Sequence, residues 1–165
     1  MLASTHHALL LLGLLASALM AGFFYAYSVS VMPGLAATEP LSAVRAMRSI
    51  NAVIRTAVFA FGFFGGLIFP LVAALLASHR AVTMLTVAAS VVYGLGALAV
   101  TLVVNVPLNE ALAAATLTAE NATQLWQDYA GRWTRWNHVR TVASIIAFAL
   151  LAAAVAVEYR HWCDE

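Results

Sequence analysis

Four long segments without a charged residue constrain the fold of this chain more than any other feature. They cover residues 1–38, 56–78, 81–109 and 141–157. About 20 consecutive apolar residues in a helix cross the roughly 30 Å hydrocarbon core of a bilayer. Backbone N–H and C=O groups in lipid must pair within their own segment, which makes such segments helical. The sequence therefore predicts four membrane-spanning helices.

The composition favours a membrane protein over a soluble one. Of the 165 residues, 64% are hydrophobic and 9% are charged, against about 45–50% and about 25% in soluble proteins. Such a chain is too apolar to be disordered. Its formal net charge of +1, without a basic run, does not suit nucleic-acid binding. We expect one all-α domain, an integral membrane four-helix bundle in a bacterial-type inner or plasma membrane.

The predicted helices cover about residues 8–32, 41–77, 81–109 and 121–157, and the second and fourth begin with amphipathic extensions. With four spans, both termini lie at one membrane surface, the terminal face. The connections between helices 1 and 2 and between helices 3 and 4 lie at the opposite surface, the loop face. More arginines lie near the loop face than near the terminal face, which favours a cytoplasmic loop face.

The two ends of the chain carry two further signals. No Lys or Arg precedes the first apolar run, and that run continues past the cleavage-like Ala16-Ser17-Ala18. We therefore expect a retained helix and not a signal peptide. The single cysteine, Cys163, excludes an internal disulfide and a redox-active cysteine pair.

Polar and aromatic side chains recur at helical spacing toward the loop face. Residues three, four, seven and eleven apart lie on one side of a helix. The four stripes that result are Ser17, Ala21, Phe24, Ser28 and Met32; Arg48, Asn51, Arg55, Phe59, Gly62 and Gly66; Gly94, Leu98, Thr101, Asn105 and Asn109; and Trp126, Tyr129, Trp133, Trp136, Asn137, Arg140 and Ser144. Polar groups at membrane depth are costly and face inward. The stripes therefore predict a polar, aromatic-rimmed pocket that opens near the loop face.

Arg55 and Arg140 are the strongest candidates for ligand-binding residues, because each lies where a predicted helix enters the lipid. Three carboxylates near the loop face, Glu110, Glu120 and Asp128, are expected outside the core. An arginine pair without a buried carboxylate favours an anionic or enolate-like ligand.

Each of these features also has a structural interpretation. The arginines can extend to lipid headgroups, and the tryptophans can form an interfacial belt. The asparagines of the segment 105–109 can satisfy carbonyls freed by its proline, and the glycines of the second stripe favour close helix packing. Histidine is a common general base, but His138 points about 120° or more away from the centre of the fourth stripe. That direction favours a headgroup or interhelix contact.

No cofactor or metal is predicted. Carboxylate-bridged metals and bundle haem need Asp, Glu or His within the helices, and the apolar spans lack such sets. The sequence also lacks a Gly-rich phosphate motif, a Ser-His-Asp set and the membrane-embedded acid of proton-coupled exporters. His6 and His7, together with His79 or His161, would form only a weak metal site.

Four segments of the chain resemble the anthrone oxygenase-like family of small four-helix membrane proteins. They are Ser28-Val-Ser-Val-Met-Pro-Gly-Leu35, Met47-Arg-Ser-Ile-Asn51 running into Phe59, Asn105-Val-Pro-Leu-Asn109, and Trp133-Thr-Arg-Trp-Asn-His-Val-Arg-Thr141. The resemblance covers nearly the whole chain in order, and the last two segments are fairly specific together. It implies a bacterial relative of fungal enzymes that oxidise an anthrone to an anthraquinone as monooxygenases without a metal or flavin.

Such chemistry fits the predicted pocket. An acidic C–H substrate loses a proton, and the enolate reacts directly with O2. The candidate catalytic residues are Arg140, Arg55, Asn137 and His138. The two arginines would stabilise the enolate and a developing peroxide. The base would be His138, Tyr129 or a bound water. The candidate substrate-binding residues are Arg48, Asn51, Asn105, Asn109, Trp126, Tyr129, Trp133, Trp136 and Ser28.

Two other functions are consistent with the same sequence. A non-catalytic binder or carrier of a lipophilic small molecule, such as a quinone or polyketide, would use the same pocket. A structural membrane subunit would have no pocket, and its Asn and Arg side chains would lie at separate sites or face the lipid bilayer. Oxygen consumption with an anthrone-like substrate distinguishes the enzyme from the carrier.

Overall fold

The computed structural model describes the backbone of residues 2–164 and the side chains of residues 5–160. Within this part of the chain, the protein contains four helices that are long and apolar enough to cross a membrane: Thr5–Ala36, Ala57–Leu76, Arg80–Ala114 and Ala122–Arg160. The structure confirms the predicted all-α membrane bundle. Cys163 and His161 lie outside the described side chains.

The four spanning helices are divided into shorter elements. In chain order these are α1 (Leu2–Ala26), a π-helical turn (Tyr27–Val31), α2 (Met32–Ala36), α3 (Pro40–Val53), α4 (Ala57–Leu76), α5 (Arg80–Tyr93), two π-helical turns (Gly94–Ala99 and Thr101–Asn105), α6 (Val106–Ala114) and α7 (Ala122–Asp164). The first and third spanning helices thus contain wide turns, whereas α4 and α7 are continuous.

Two of the wide turns come directly before a proline. The turn Tyr27–Val31 precedes Pro33, and the turn Thr101–Asn105 precedes Pro107. Proline lacks an N–H, and its ring clashes with the carbonyl four residues earlier, which in both cases lies inside the wide turn. The i→i+5 pattern of a π turn absorbs this disruption, so the helix continues. Both turns lie in the half of the helix nearer the loop face.

The predicted continuous helix over residues 41–77 is wrong in one respect, because residues 54–56 interrupt it. The Thr56 hydroxyl accepts the N–H of Phe59 at 3.2 Å and caps the start of α4. The preceding α3 is amphipathic and packs across the loop face, whereas α4 is apolar and crosses the bilayer. The two helices therefore lie in different environments, α3 at the membrane surface and α4 in the lipid. Arg55 lies in the break between them.

The bundle is held together by α1 and α5, each of which packs against both α4 and α7. Its centre includes Leu10, Phe24, Tyr93 and Leu151, none more than 2% exposed. The Tyr93 hydroxyl donates to the Phe63 carbonyl oxygen at 2.9 Å. This bond satisfies a hydroxyl that would otherwise be costly to bury.

A second apolar cluster closes the bundle at the loop face. Here α3 packs against the first turns of α7. Val44 and Met47 of α3 are fully buried in one cluster with Tyr27, Trp126 and Tyr129. This packing holds the amphipathic extensions predicted for the second and fourth helices against the rest of the molecule.

Small residues allow the helices to approach closely. A Cβ atom at Gly66 would lie 2.8 Å from the Tyr93 ring, and one at Gly62 would lie 3.0 Å from the methyl group of Met20. Both glycines of the second stripe thus face neighbouring helices, in agreement with the packing interpretation of that stripe.

Replacing Gly96 by alanine is expected to lower the thermal stability of the protein in detergent. A Cβ atom at Gly96 would overlap the Cβ of Ala143, which has no flexible side chain that could move aside. The third spanning helix and α7 must then separate, at a cost of about 1–3 kcal/mol. Gly22→Ala is the matched control, because no atom of another helix lies within 4 Å of a Cβ there. An unchanged melting temperature for Gly96→Ala would contradict the close contact.

Candidate functional site

A cleft of about 560 Å³ lies in the half of the bundle nearer the loop face. It is bounded by the first spanning helix, α3, α4, the third spanning helix and α7, and its size lies within the range of small-molecule sites. Five of the predicted site residues line it: Asn51, Arg55, Asn109, Trp133 and Arg140. The structure therefore brings together polar residues from three of the four predicted stripes.

Arg140 is buried in the wall of this cleft, with 5% of its surface exposed. It donates from Nη2 to Asn137 Oδ1 at 2.8 Å and from Nη1 to Thr101 Oγ1 at 3.2 Å. Its guanidinium carbon lies 4.5 Å from the centroid of the Phe24 ring and 4.8 Å from that of Trp133, within cation–π range. Arg140 therefore does not extend to the headgroups.

The positive charge of Arg140 is not neutralised by an ion pair with a described residue. The carboxylate of Glu158 pairs with histidines near the terminal face, far from this guanidinium. The partners of Arg140 are instead neutral oxygens and two aromatic rings. A buried, unneutralised cation of this kind favours a ligand with a negative oxygen.

Two buried donor atoms of residues that line the cleft have no hydrogen-bond partner within the described part of the chain: Nε of Arg140 and Nε1 of Trp133. Arg140 and Trp133 are both more than nine-tenths buried. Leaving a buried donor unsatisfied costs about 1–3 kcal/mol. Because these two free groups are donors, the cleft is suited to a ligand that supplies acceptor oxygens.

Asn137 is fully buried beside the cleft and positions Arg140. Its Nδ2 donates at 2.8 Å to the Phe24 carbonyl oxygen and at 2.8 Å to Ser28 Oγ, while its Oδ1 accepts the bond from Arg140. Ser28 Oγ also lies 3.1 Å from Thr141 Oγ1. Asn137 and Ser28 thus connect the first spanning helix to α7 without lining the cleft themselves.

Two further asparagines bond aromatic residues of α7, of which Trp133 lines the cleft and Tyr129 does not. Asn105 is fully buried and donates from Nδ2 to the Trp133 carbonyl oxygen at 3.2 Å. Asn109 accepts the Tyr129 hydroxyl at 2.8 Å. The Trp133 ring in turn lies 5.3 Å from the Tyr27 ring, centroid to centroid. These contacts fix an aromatic wall beside Arg140.

Arg48 does not face the cleft, in contrast to its predicted role in substrate binding. It donates from Nε to the Leu112 carbonyl oxygen at 3.0 Å and from Nη2 to the Ala115 carbonyl oxygen at 2.7 Å. The last carbonyls of a helix have no partner within that helix. Arg48 therefore caps the end of α6 and ties it to α3.

Three further predicted residues, Trp126, Trp136 and His138, lie away from the cleft lining. Trp126 is buried in the apolar cluster at the loop face. Trp136 is 39% exposed, because at 100° per residue it lies about 60° from Trp133, at the edge of the predicted stripe. His138 is exposed, and its Nδ1 lies 3.0 Å from Ser28 Oγ. It thus forms an interhelix contact, which its helical phase favoured.

Arg55 and Glu110 are exposed and line the cleft at its mouth. Arg55 reaches this position from the break before α4, and not from a helix. The sequence predicts Glu110 outside the core, and it is exposed, but a pattern along one helix does not show that this residue lines the cleft. The sequence also does not identify Tyr27 as a lining residue, because Pro33 is its only signal of the wide turn that positions Tyr27.

A histidine–glutamate cluster lies at the terminal face, far along the bundle from the cleft. His6 Nδ1 donates to the Ala73 carbonyl oxygen at 2.9 Å. Nε2 of His6 and Nε2 of His7 lie 3.4 Å and 3.1 Å from Oε1 of Glu158. Within the described residues, no group of three His, Cys, Asp or Glu residues is placed to hold a metal ion. Glu158 thus contacts His6 and His7, the two histidines at which the sequence predicts only a weak metal site.

Comparison with known proteins gives one positive result. A family model described as anthrone oxygenase matches residues 51–150, which is more than half of the 165-residue chain. The matched region contains all five cleft-lining residues that the sequence predicted. No curated protein and no solved structure matches the chain.

Proposed function

The chain belongs to the anthrone oxygenase family, and from that premise we propose that it is a membrane-embedded, cofactor-independent oxygenase. Its substrate is a lipophilic, polyketide-like aromatic ketone with an acidic methylene group, of the anthrone type, and its product is the corresponding quinone. The observation that carries the proposal is Arg140, a buried cation with an unsatisfied Nε at a cleft of ligand size.

The overall reaction consumes one O2, converts the methylene group of the substrate into a carbonyl group and releases one water. The methylene carbon loses one proton, and the enolate transfers an electron to O2. The carbon radical and superoxide then join by a C–O bond, and protonation gives a hydroperoxide. Loss of the second C–H proton with cleavage of the O–O bond gives the ketone and water. The methylene carbon supplies all four electrons, so no external reductant is consumed.

Arg140 stabilises the negative charge that develops in this sequence. Its free Nε and the Nε1 of Trp133 are donors for the enolate oxygen and then for the peroxide. The guanidinium is preorganised by its bonds to Asn137 and Thr101, and Asn105 donates to the backbone carbonyl oxygen of Trp133. Loss of a single preorganised donor of this type typically lowers kcat by about 10²–10³-fold.

The other lining residues hold the substrate and remove the proton. The Trp133 ring offers a flat surface to an aromatic substrate, and Asn51 also lines the cleft. The carboxylate of Glu110, which lines the cleft at its exposed mouth, accepts the proton from the methylene carbon and releases it to water.

The experiment is an oxygen-consumption assay with the purified protein in lipid nanodiscs and an anthrone as substrate. We expect O2 and anthrone to be consumed in equal amounts, faster than spontaneous oxidation in empty nanodiscs. With isotopically labelled O2, one labelled oxygen enters the quinone. Anthrone binding without oxygen consumption above the control would overturn the enzyme and support a carrier. The absence of both anthrone binding and oxygen consumption would support a structural subunit.

A further inference from the structure

The cleft has a side that faces the lipid as well as a mouth at the loop face. Two of its lining residues, Phe64 of α4 and Leu102 of the third spanning helix, are 45% and 49% exposed. Both lie within membrane-spanning segments, so the surface they expose faces hydrocarbon. Apolar side chains that line a cleft and also face the bilayer mark an opening through the side of the bundle.

The depth of this opening follows from helix geometry. Phe64 lies eight residues beyond Thr56, and Leu102 lies eight residues before Glu110. At 1.5 Å per residue, each apolar residue is about 12 Å farther into the membrane than the polar residue at the mouth. The two walls therefore match in depth, and the opening extends well below the membrane surface.

The packing of the helices explains why a gap exists there. The short connection at residues 77–79 joins α4 to α5 at the terminal face, and there the two helices pack together. Toward the loop face, α4 packs against α1, whereas the turn Thr101–Asn105 and α6 pack against α7. No extensive packing joins α4 to that turn or to α6 within the described part of the chain. The two spanning helices thus diverge toward the loop face.

We propose that the substrate enters the cleft sideways from the hydrocarbon layer, through the gap between α4 and the turn Thr101–Asn105. The occupant is a membrane-dissolved aromatic molecule whose oxygen-bearing edge enters first. Charge complementarity supports this occupant, because the cationic Arg140 lines the cleft behind the apolar gap, together with Trp133. This inference rests on the proposed function for the identity of the ligand.

The gap also predicts which anthrones the protein prefers. An anthrone with a long alkyl chain dissolves in the bilayer and reaches the side opening directly. The same ring with a sulfonate group stays in water and reaches the cleft only through the mouth near Arg55 and Glu110. The ratio of kcat/KM for the alkyl substrate to kcat/KM for the sulfonated one therefore reports the route.

The test is the variant Leu102→Trp, which places a bulky ring in the side opening, assayed in nanodiscs with both substrates. We expect the kcat/KM ratio to fall at least about tenfold relative to the wild type. Leu95→Trp is the matched control, because Leu95 lies on the same spanning helix, is 69% exposed and does not line the cleft. Phe64→Ala, which widens the opening, is expected to raise the ratio.

Two outcomes separate a failure of this inference from a failure of the proposed function. If Leu102→Trp keeps the wild-type ratio while both substrates are oxidised, the side entrance is overturned and the oxygenase stands. If the wild type oxidises neither substrate, the proposed oxygenase function is wrong. The route is then measured by the rates at which the corresponding alkyl and sulfonated quinones associate with the protein. A selective slowing of the alkyl quinone by Leu102→Trp would then support the entrance, and equal rates would overturn it.

Discussion

Arg140→Gln is expected to lower kcat for anthrone oxidation by about 10²–10³-fold, the usual cost of removing a preorganised donor to a developing oxyanion. Glutamine retains a donor for Asn137 Oδ1 but removes the charge and the free Nε. Oxygen consumption in nanodiscs, corrected for spontaneous oxidation, measures the effect. Arg140→Lys keeps a charge without the planar guanidinium that lies between Phe24 and Trp133, so it should restore only part of the rate.

The matched control for this prediction is Arg135→Gln. Arg135 is exposed on the same helix, five residues earlier, and does not line the cleft. Its replacement removes the same charge from α7 and should leave kcat within about twofold of the wild type. Equal rates for Arg140→Gln and the wild type would show that the oxyanion is stabilised elsewhere, and they would remove the main support for the proposed mechanism.

Asn137→Leu is expected to lower both the stability and the activity of the protein. The change removes the donor for the Phe24 carbonyl and for Ser28 Oγ, and it removes the acceptor for Arg140. Leaving such buried groups unsatisfied costs about 1–3 kcal/mol, which thermal unfolding in detergent measures. Gln127→Leu, an equivalent change at an exposed position of α7, should have little effect on the melting temperature.

The loss of activity in Asn137→Leu should arise through Arg140. Asn137 does not line the cleft, so it acts as a positioning residue, and its loss should lower kcat more than it raises KM. In a double-mutant cycle, the rate losses of Asn137→Leu and Arg140→Gln should then be far from additive, because both disturb the same group. Additive losses would indicate that Asn137 acts independently of the guanidinium.

The general fold follows from the sequence because lipid leaves so few options. Charge-free segments of membrane length must be helices, and the four spans appear where the sequence places them. The helical phase of α7 was also readable: Trp133, Asn137 and Arg140 are buried on one side. A regular helix has a fixed rotation per residue, so spacing alone predicts which side chains share a side.

The same phase argument fails where the helix is not regular. Residues 54–56 interrupt the second stripe, so Arg55 reaches the cleft mouth from a non-helical segment. The wide turns before Pro33 and Pro107 shift the phase of the first and third helices. The break at residues 54–56 has no signal in the sequence. The wide turns have one, the prolines that follow them, but a proline does not by itself predict a π turn.

The sequence by itself determined the membrane bundle, the number of spans and the concentration of polar groups near one surface, because these depend on hydropathy and helical period. The tertiary structure decided which polar groups serve the cleft. It directs Arg48 to the end of α6, Asn137 to Arg140 and His138 to Ser28. It also leaves the gap between α4 and the turn Thr101–Asn105. These outcomes depend on the distances between helices, and a linear pattern of residues does not contain those distances.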